Sequence, residues 1–160
     1  MNLKRDIKVK PLLASLAIPL ALGGLAAFLR KDSTILFDAV SKPPLSPPRW
    51  LFPVVWTLLY ILMGLASYLV YTSKASQPRK DRALAVYAAQ LALNFLWPLL
   101  FFNMQMYLAA FIVLLLLLLL LIVCMVLFRY ISQPAARLLI PYLVWTCFAA
   151  YLNLGVYLLN

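Results

Sequence analysis

The sequence predicts an all-α fold, an integral membrane bundle of five transmembrane helices. Three observations carry that reading. Of 160 residues, 66% are hydrophobic and 11% are charged, with a mean hydropathy of +0.98; soluble domains carry about 25% charged residues. The apolar residues fall into five runs of about 20, the length that crosses a ~30 Å hydrocarbon core. Most of the Lys, Arg and Asp residues lie between those runs. The length suits one compact membrane domain spanning residues 1–160.

The first run, about 11–29, follows a basic head. It resembles a signal peptide in that respect, but it exceeds a usual h-region and no A-x-A site ends it. It is therefore read as a helix, with Gly23 and Gly24 suited to close helix approach and Pro19 to a bend. Residues 30–49 form the longest polar connection and hold Ile35, Leu36, Phe37, Val40 and Leu45, as a functional lid does or as an amphipathic segment lying on the bilayer surface does. Pro43, Pro44, Pro47 and Pro48 lack N–H donors and keep it extended. The second helix covers about 50–72. Residues 73–82 read as a charged turn. The third helix covers about 83–102, with Pro98 near its end. The fourth, about 106–128, is almost purely aliphatic and reads as lipid-facing scaffold. The fifth covers about 135–159.

The net charge of +10 comes from 14 Lys and Arg against four Asp. No basic helix or RNA-binding motif accompanies it, so nucleic acid is not an expected partner. The basic residues cluster at the ends of apolar runs, which fits membrane topology and contact with anionic lipid. With five spans, ten Lys and Arg fall on the side of the N-terminus and four on the other. That bias predicts a cytoplasmic N-terminus, with the long loop facing outward.

The sequence has no His and no Glu. A Ser-His-Asp triad and a His-ligated zinc or haem iron are therefore not available. Cys124 and Cys147 stand alone in apolar runs and read as small hydrophobes.

Polar and aromatic residues recur at helical spacing on three runs. Trp56, Tyr60, Met63, Gly64, Ser67 and Tyr71 share a face of the second helix. Gln90, Asn94, Trp97 and Phe101 do so on the third, and Tyr142, Trp145, Ala149 and Asn153 on the fifth. An unpaired amide in hydrocarbon costs several kcal/mol, so these faces point inward. Interhelical hydrogen bonding alone accounts for such residues in many bundles. Here every tryptophan in the chain, Trp50, Trp56, Trp97 and Trp145, lies in or at the start of such a face. Flat aromatic walls with a few fixed polar groups suit a flat hydrophobic ligand.

These residues carry a resemblance to the TspO/MBR family, the translocator or tryptophan-rich sensory proteins, in a bacterial form. The first motif reads Lys42-Pro43, Pro47-Pro48 and Trp50, then Val55-Trp56-Thr57, Leu59-Tyr60 and Met63-Gly64. The second reads Leu91-Ala92-Leu93-Asn94, Trp97-Pro98 and Phe101-Phe102. The third runs from Ala136 to Asn153. The resemblance implies a homodimer and a pocket beneath the first loop for porphyrins, haem-related tetrapyrroles, sterols or benzodiazepine-type drugs. The pocket it implies is Trp50, Trp56, Tyr60, Asn94, Trp97, Trp145, Ala149 and Leu152. Two departures stand out. The proline before Trp56 sits one position early, at Pro53. Tyr151 and Tyr157 have no basic residue after them, as the sterol-associated pattern would require.

The leading expectation is a receptor or translocator for tetrapyrroles in a bacterial cell membrane. Porphyrin or haem is its ligand, and no cofactor is obligatory. Arg30, Lys31, Lys42 and Arg49 are placed to meet propionates. A porphyrin-degrading enzyme driven by light or oxidant, and a structural or regulatory membrane subunit, are the alternatives. Ala85 and Ala89 form a small-xxx-small pair suited to helix–helix contact in a dimer.

Overall fold

The computed structural model describes residues 7–30 and 38–160. The basic head before Ile7 and the loop residues 31–37, with Lys31, Ile35, Leu36 and Phe37, lie outside the described residues. Helix α1 is Val9–Leu29, α2 Leu51–Tyr71, α3 Gln77–Pro98, α4 Tyr107–Ile131, α5 Gln133–Leu138 and α6 Ile140–Leu159. Helix α3 continues through one π-helical turn, Leu99–Asn103. Five segments are long and apolar enough to cross a membrane, the fifth being α5 and α6 together.

Prolines explain the irregular points. Pro98 has no N–H for the Asn94 carbonyl, and the wider turn that follows recovers a bond from Met104 N to Leu99 O at 3.1 Å. Pro141 likewise leaves the Arg137 carbonyl without its helical donor, and the break between α5 and α6 falls at Leu139. Pro78 stands in the first turn of α3, where its missing N–H costs nothing. Helix α3 therefore starts at Gln77, inside the segment the sequence reads as a charged turn.

Helix α1 packs chiefly on α2, while α4 packs on α3, α5 and α6. Gly64 permits the first contact. A Cβ there would lie 2.7 Å from the Ser15 carbonyl oxygen and 2.9 Å from Leu16 Cα. Gly23 accepts the Tyr60 ring, whereas Gly24 faces open space.

The reading of α4 as lipid-facing scaffold needs correction. Leu114, Leu117, Leu121, Cys124 and Phe128 are fully buried in the core against Met63, Val70 and Tyr142. The opposite face, with Ile112, Leu116 and Leu119, is exposed to the lipid side. Leucine satisfies both environments, so an unbroken leucine run hides which face is which.

Candidate functional site

The site lies at the end of the bundle where α1 and α3 finish and α2 and α4 begin. Asn103 Nδ2 donates to the Leu29 carbonyl at 2.9 Å and ties two of these ends together. The described part of the long loop, 38–49, is docked on α6. Tyr151 Oη donates to Pro44 O at 2.9 Å. Ser41 N donates to Asn160 Oδ1 at 3.1 Å, and Asn160 Nδ2 returns a bond to Ser41 O at 3.0 Å. Gly155 receives the Pro43 ring, whose Cβ and Cγ would stand 2.5 Å from a Cβ on that residue. Asp38 pairs with Arg49 and, at 3.8 Å, with Lys42. Leu45 holds a left-handed φ of 67°, a conformation that a branched side chain resists.

Beneath that loop end are two separate spaces. The larger, about 170 Å³, lies between α1, α2 and α3 and is lined by Gly23, Arg30, Trp56, Tyr60, Asn94 and Trp97. The smaller, about 40 Å³, lies under Ser46 and Pro47 and is lined by Phe52, Trp97, Ala149 and Leu152. Trp97 is the wall between them, lining both.

The walls are fixed by aromatic contact. Trp56 lies 6.2 Å from Trp97 and 5.7 Å from Tyr60, and it meets Tyr142 edge-on at 6.2 Å. Below them runs a buried hydrogen-bond chain. Tyr60 Oη donates to Asn94 Oδ1 at 3.2 Å, Asn94 Nδ2 donates to Tyr142 Oη at 2.6 Å, and Tyr142 Oη donates to Gln90 Oε1 at 2.7 Å. The chain joins α2, α3 and α6. Each side chain in it orients the next, which sets the amide of Asn94 as donor to one tyrosine and acceptor from the other. Asn153, also buried, donates to Tyr107 O at 2.7 Å.

Some buried donors end without a partner among the described residues: Trp97 Nε1, Trp145 Nε1 and Gln90 Nε2. A buried indole N–H seldom stays unsatisfied, and of these residues Trp97 is the one that lines both spaces. Arg30 brings a guanidinium to the outer end of the larger space, 5.2 Å from the Phe102 ring centroid. Burial lowers its pKa and the nearby Tyr60 opposes that shift; a guanidinium remains charged at neutral pH regardless. No group of three or more His, Cys, Asp or Glu assembles among the described residues.

The structure thus brings Trp56, Tyr60, Asn94 and Trp97 around one space, and Trp97, Ala149 and Leu152 around the other. Trp145 lines neither; it stands edge-on to Phe52 at 6.0 Å. Trp50 is 66% exposed, one residue before α2. Lys42 and Arg49 are engaged with Asp38 rather than turned free to a ligand. Sequence reasoning left out Tyr142, the centre of the polar chain, although it noted the residue on an inward face. It also left out Gly23 on α1. The paired glycines were the signal for that, since only a residue without a side chain admits the Tyr60 ring.

A family profile described as the TspO/MBR family matches residues 15–158. The tryptophan-rich protein TspO of Archaeoglobus fulgidus is 38% identical over 155 residues, covering 96% of this chain and 99% of that protein. The tryptophan-rich sensory protein of Cereibacter sphaeroides is 39% identical, over 84% of this chain and 81% of that protein. The translocator protein of Ovis aries is 37% identical, over 79% and 75% respectively.

Proposed function

The chain belongs to the TspO/MBR family of membrane proteins, and from that premise we propose that it is a receptor or translocator for porphyrins and related flat hydrophobic molecules. The observation that carries the reading is Trp97, which lines two aromatic spaces and keeps a buried N–H without a partner. Ligand sites enclose roughly 300–1,000 Å³. The spaces here, about 170 and 40 Å³, fall short of that range even together, so the proposed site has to widen, with Trp97 turning and its neighbours giving way as the ligand enters. The macrocycle then lies between Trp56 and Trp97, its polar edges meet Asn94 and the indole N–H, and a propionate meets Arg30.

The rest of the reading follows the charge. Lys8, Lys10, Lys74, Arg79, Lys80, Arg82, Arg129 and Arg137 belong to the N-terminal end of the bundle, so that end faces the cytoplasm of a bacterial cell and the loop faces outward. Ala85 and Ala89 are exposed on α3 and form the contact of a homodimer.

Titration of the purified protein with protoporphyrin IX, haem and a sterol, followed by quenching of tryptophan fluorescence, tests the reading. Saturable binding of a tetrapyrrole at one per chain supports it. Quenching that rises linearly without saturation for all three removes it.

A further inference from the structure

At the end of the bundle opposite the loop, α4, α5 and α6 leave an open groove of about 370 Å³. Its mouth carries Arg129, Gln133 and Arg137, and its floor is apolar, formed by Ile122, Val126 and Ile140 among others. We propose that this groove is a binding site for one anionic phospholipid, its phosphate held by Arg129 and Arg137 and an acyl chain lying along the floor. The inference rests on the chain spanning a membrane and not on the nature of the ligand beneath the loop.

Three features support that occupant. The first is the order of chemistry along the groove. Arg129 closes the last turns of α4, and Ile122 lies seven residues earlier, about 10 Å deeper at 1.5 Å per residue. Cations at the level of headgroups followed by an apolar trough is the profile of an amphiphile anchored at the bilayer surface. The second is charge. Both arginines are exposed, and the ion pairs found among the described residues use Asp38, at the other end of the molecule. Two guanidiniums without carboxylates suit a phosphodiester, which accepts their paired N–H donors, and basic pockets between helices bind such headgroups. The third is the poor fit of a second copy of this chain. Asp81 is the acidic residue that the described part of this end has to offer, and it already accepts a bond from Gln77 Nε2 at 2.7 Å.

The fold creates the groove. Pro141 interrupts the helical bonding of the fifth span at Leu139, and Arg129 and Arg137, from either side of the turn at Ser132, line the same groove. Arg137 also belongs to the third sequence motif, and the ligand site under the loop makes no use of it.

The test is native mass spectrometry of the protein in detergent, supplied in turn with phosphatidylglycerol, phosphatidylcholine and inorganic phosphate. The proposal expects one phosphatidylglycerol retained per chain, little phosphatidylcholine, and no displacement by millimolar phosphate. Each of Arg129→Gln and Arg137→Gln lowers phosphatidylglycerol affinity about five-fold, the effect of one surface cation on an anionic lipid. Val126→Trp keeps both cations, fills the trough, and lowers retention as well. Arg79→Gln with Arg82→Gln, which removes the same charge from another face, leaves retention at this site unchanged. Equal retention of the two lipids, or the same loss from the Arg79 and Arg82 pair as from the Arg129 and Arg137 pair, overturns the site. Displacement by inorganic phosphate reduces it to an anion site without a lipid. A chain-to-chain complex that dissolves in the Val126→Trp variant gives the groove to a second copy instead.

Discussion

The indole of Trp97 lies 6.2 Å from that of Trp56, centroid to centroid, with the ring planes 39° apart. The rings come from neighbouring helices and face the larger space together, and Trp97 alone also faces the smaller. Stacking on a macrocycle contributes about 0.5–1.5 kcal/mol per ring beyond area burial. On the proposed reading, Trp56→Phe and Trp97→Phe are therefore expected to weaken protoporphyrin IX binding modestly, and the Leu variants to weaken it more. Leu119→Phe is the control, because Leu119 is 59% exposed on the lipid side of α4; Leu117, in the core, is unsuitable. Fluorescence quenching across the series measures the effect. Folded Trp→Leu proteins that bind like the parent would show the tryptophans to be structural.

Ala149 tests the smaller space. It is buried at a wall of a space of about 40 Å³, so added volume has nowhere to go. Overpacking such a site costs about 1–3 kcal/mol. Ala149→Thr is expected to lower porphyrin affinity by about ten-fold, corresponding to ~1.4 kcal/mol. Unchanged affinity places the ligand wholly in the larger space.

What the sequence made legible, and what it did not, follows one physical line. The inward faces of α2, α3 and α6 were readable because polar and aromatic residues break an apolar background at helical spacing. Gln90, Asn94 and Asn153 are all buried, as that pattern requires. The core face of α4 was unreadable because leucine faces core and lipid alike. The joining of Tyr142 to both Gln90 and Asn94 depends on how three helices cross, which periodicity within one helix does not encode. The partition by Trp97 depends on a rotamer. The start of α3 was misread because charged residues mark a turn and an exposed first helical turn equally well.

Tyr142 is the central member of the polar chain, donating to Gln90 and accepting from Asn94. Tyr142→Phe keeps the ring and leaves both amides short of a partner where water does not reach. Such a loss costs about 1–3 kcal/mol. The ligand-free protein is expected to melt several degrees lower in detergent. Adding Asn94→Leu is expected to cost less than the sum of the separate changes, because both remove the same bond. An unchanged melting temperature for Tyr142→Phe would mean that the chain contributes nothing to stability.

Gly155 tests how the loop is held. Its missing side chain admits the rigid Pro43 ring, and a methyl group there displaces the loop. Gly155→Ala is expected to speed tryptic cleavage after Arg49, since the Asp38 pairing of that residue depends on the docked loop. Tyr151→Phe, which removes the bond to Pro44 O, changes the rate in the same direction by a smaller factor. A rate equal to the parent's in both variants would show that the loop is held without α6.

Orientation is tested by labelling. The N-terminal end of the bundle carries Lys8, Lys10, Lys74, Arg79, Lys80, Arg82, Arg129 and Arg137 among the described residues, against Asp81. The loop end carries Arg30, Lys42 and Arg49, of which the last two are paired with Asp38. The uncompensated charge is thus concentrated at one end, and positive charge is retained in the cytoplasm. A reporter joined after Asn160 is expected to read as extracytoplasmic. That fusion disturbs the bonds between Asn160 and Ser41, so a second readout is needed. Met104, 59% exposed in the turn between α3 and α4, lies at the loop end, and Ser76 lies at the other. In a background with Cys124 and Cys147 replaced by Ala, Met104→Cys is expected to react with a membrane-impermeant maleimide on intact cells. Ser76→Cys is expected to react only after the cells are opened. The reverse pattern turns the bundle over, and the mouth of the pocket then opens to the cytoplasm.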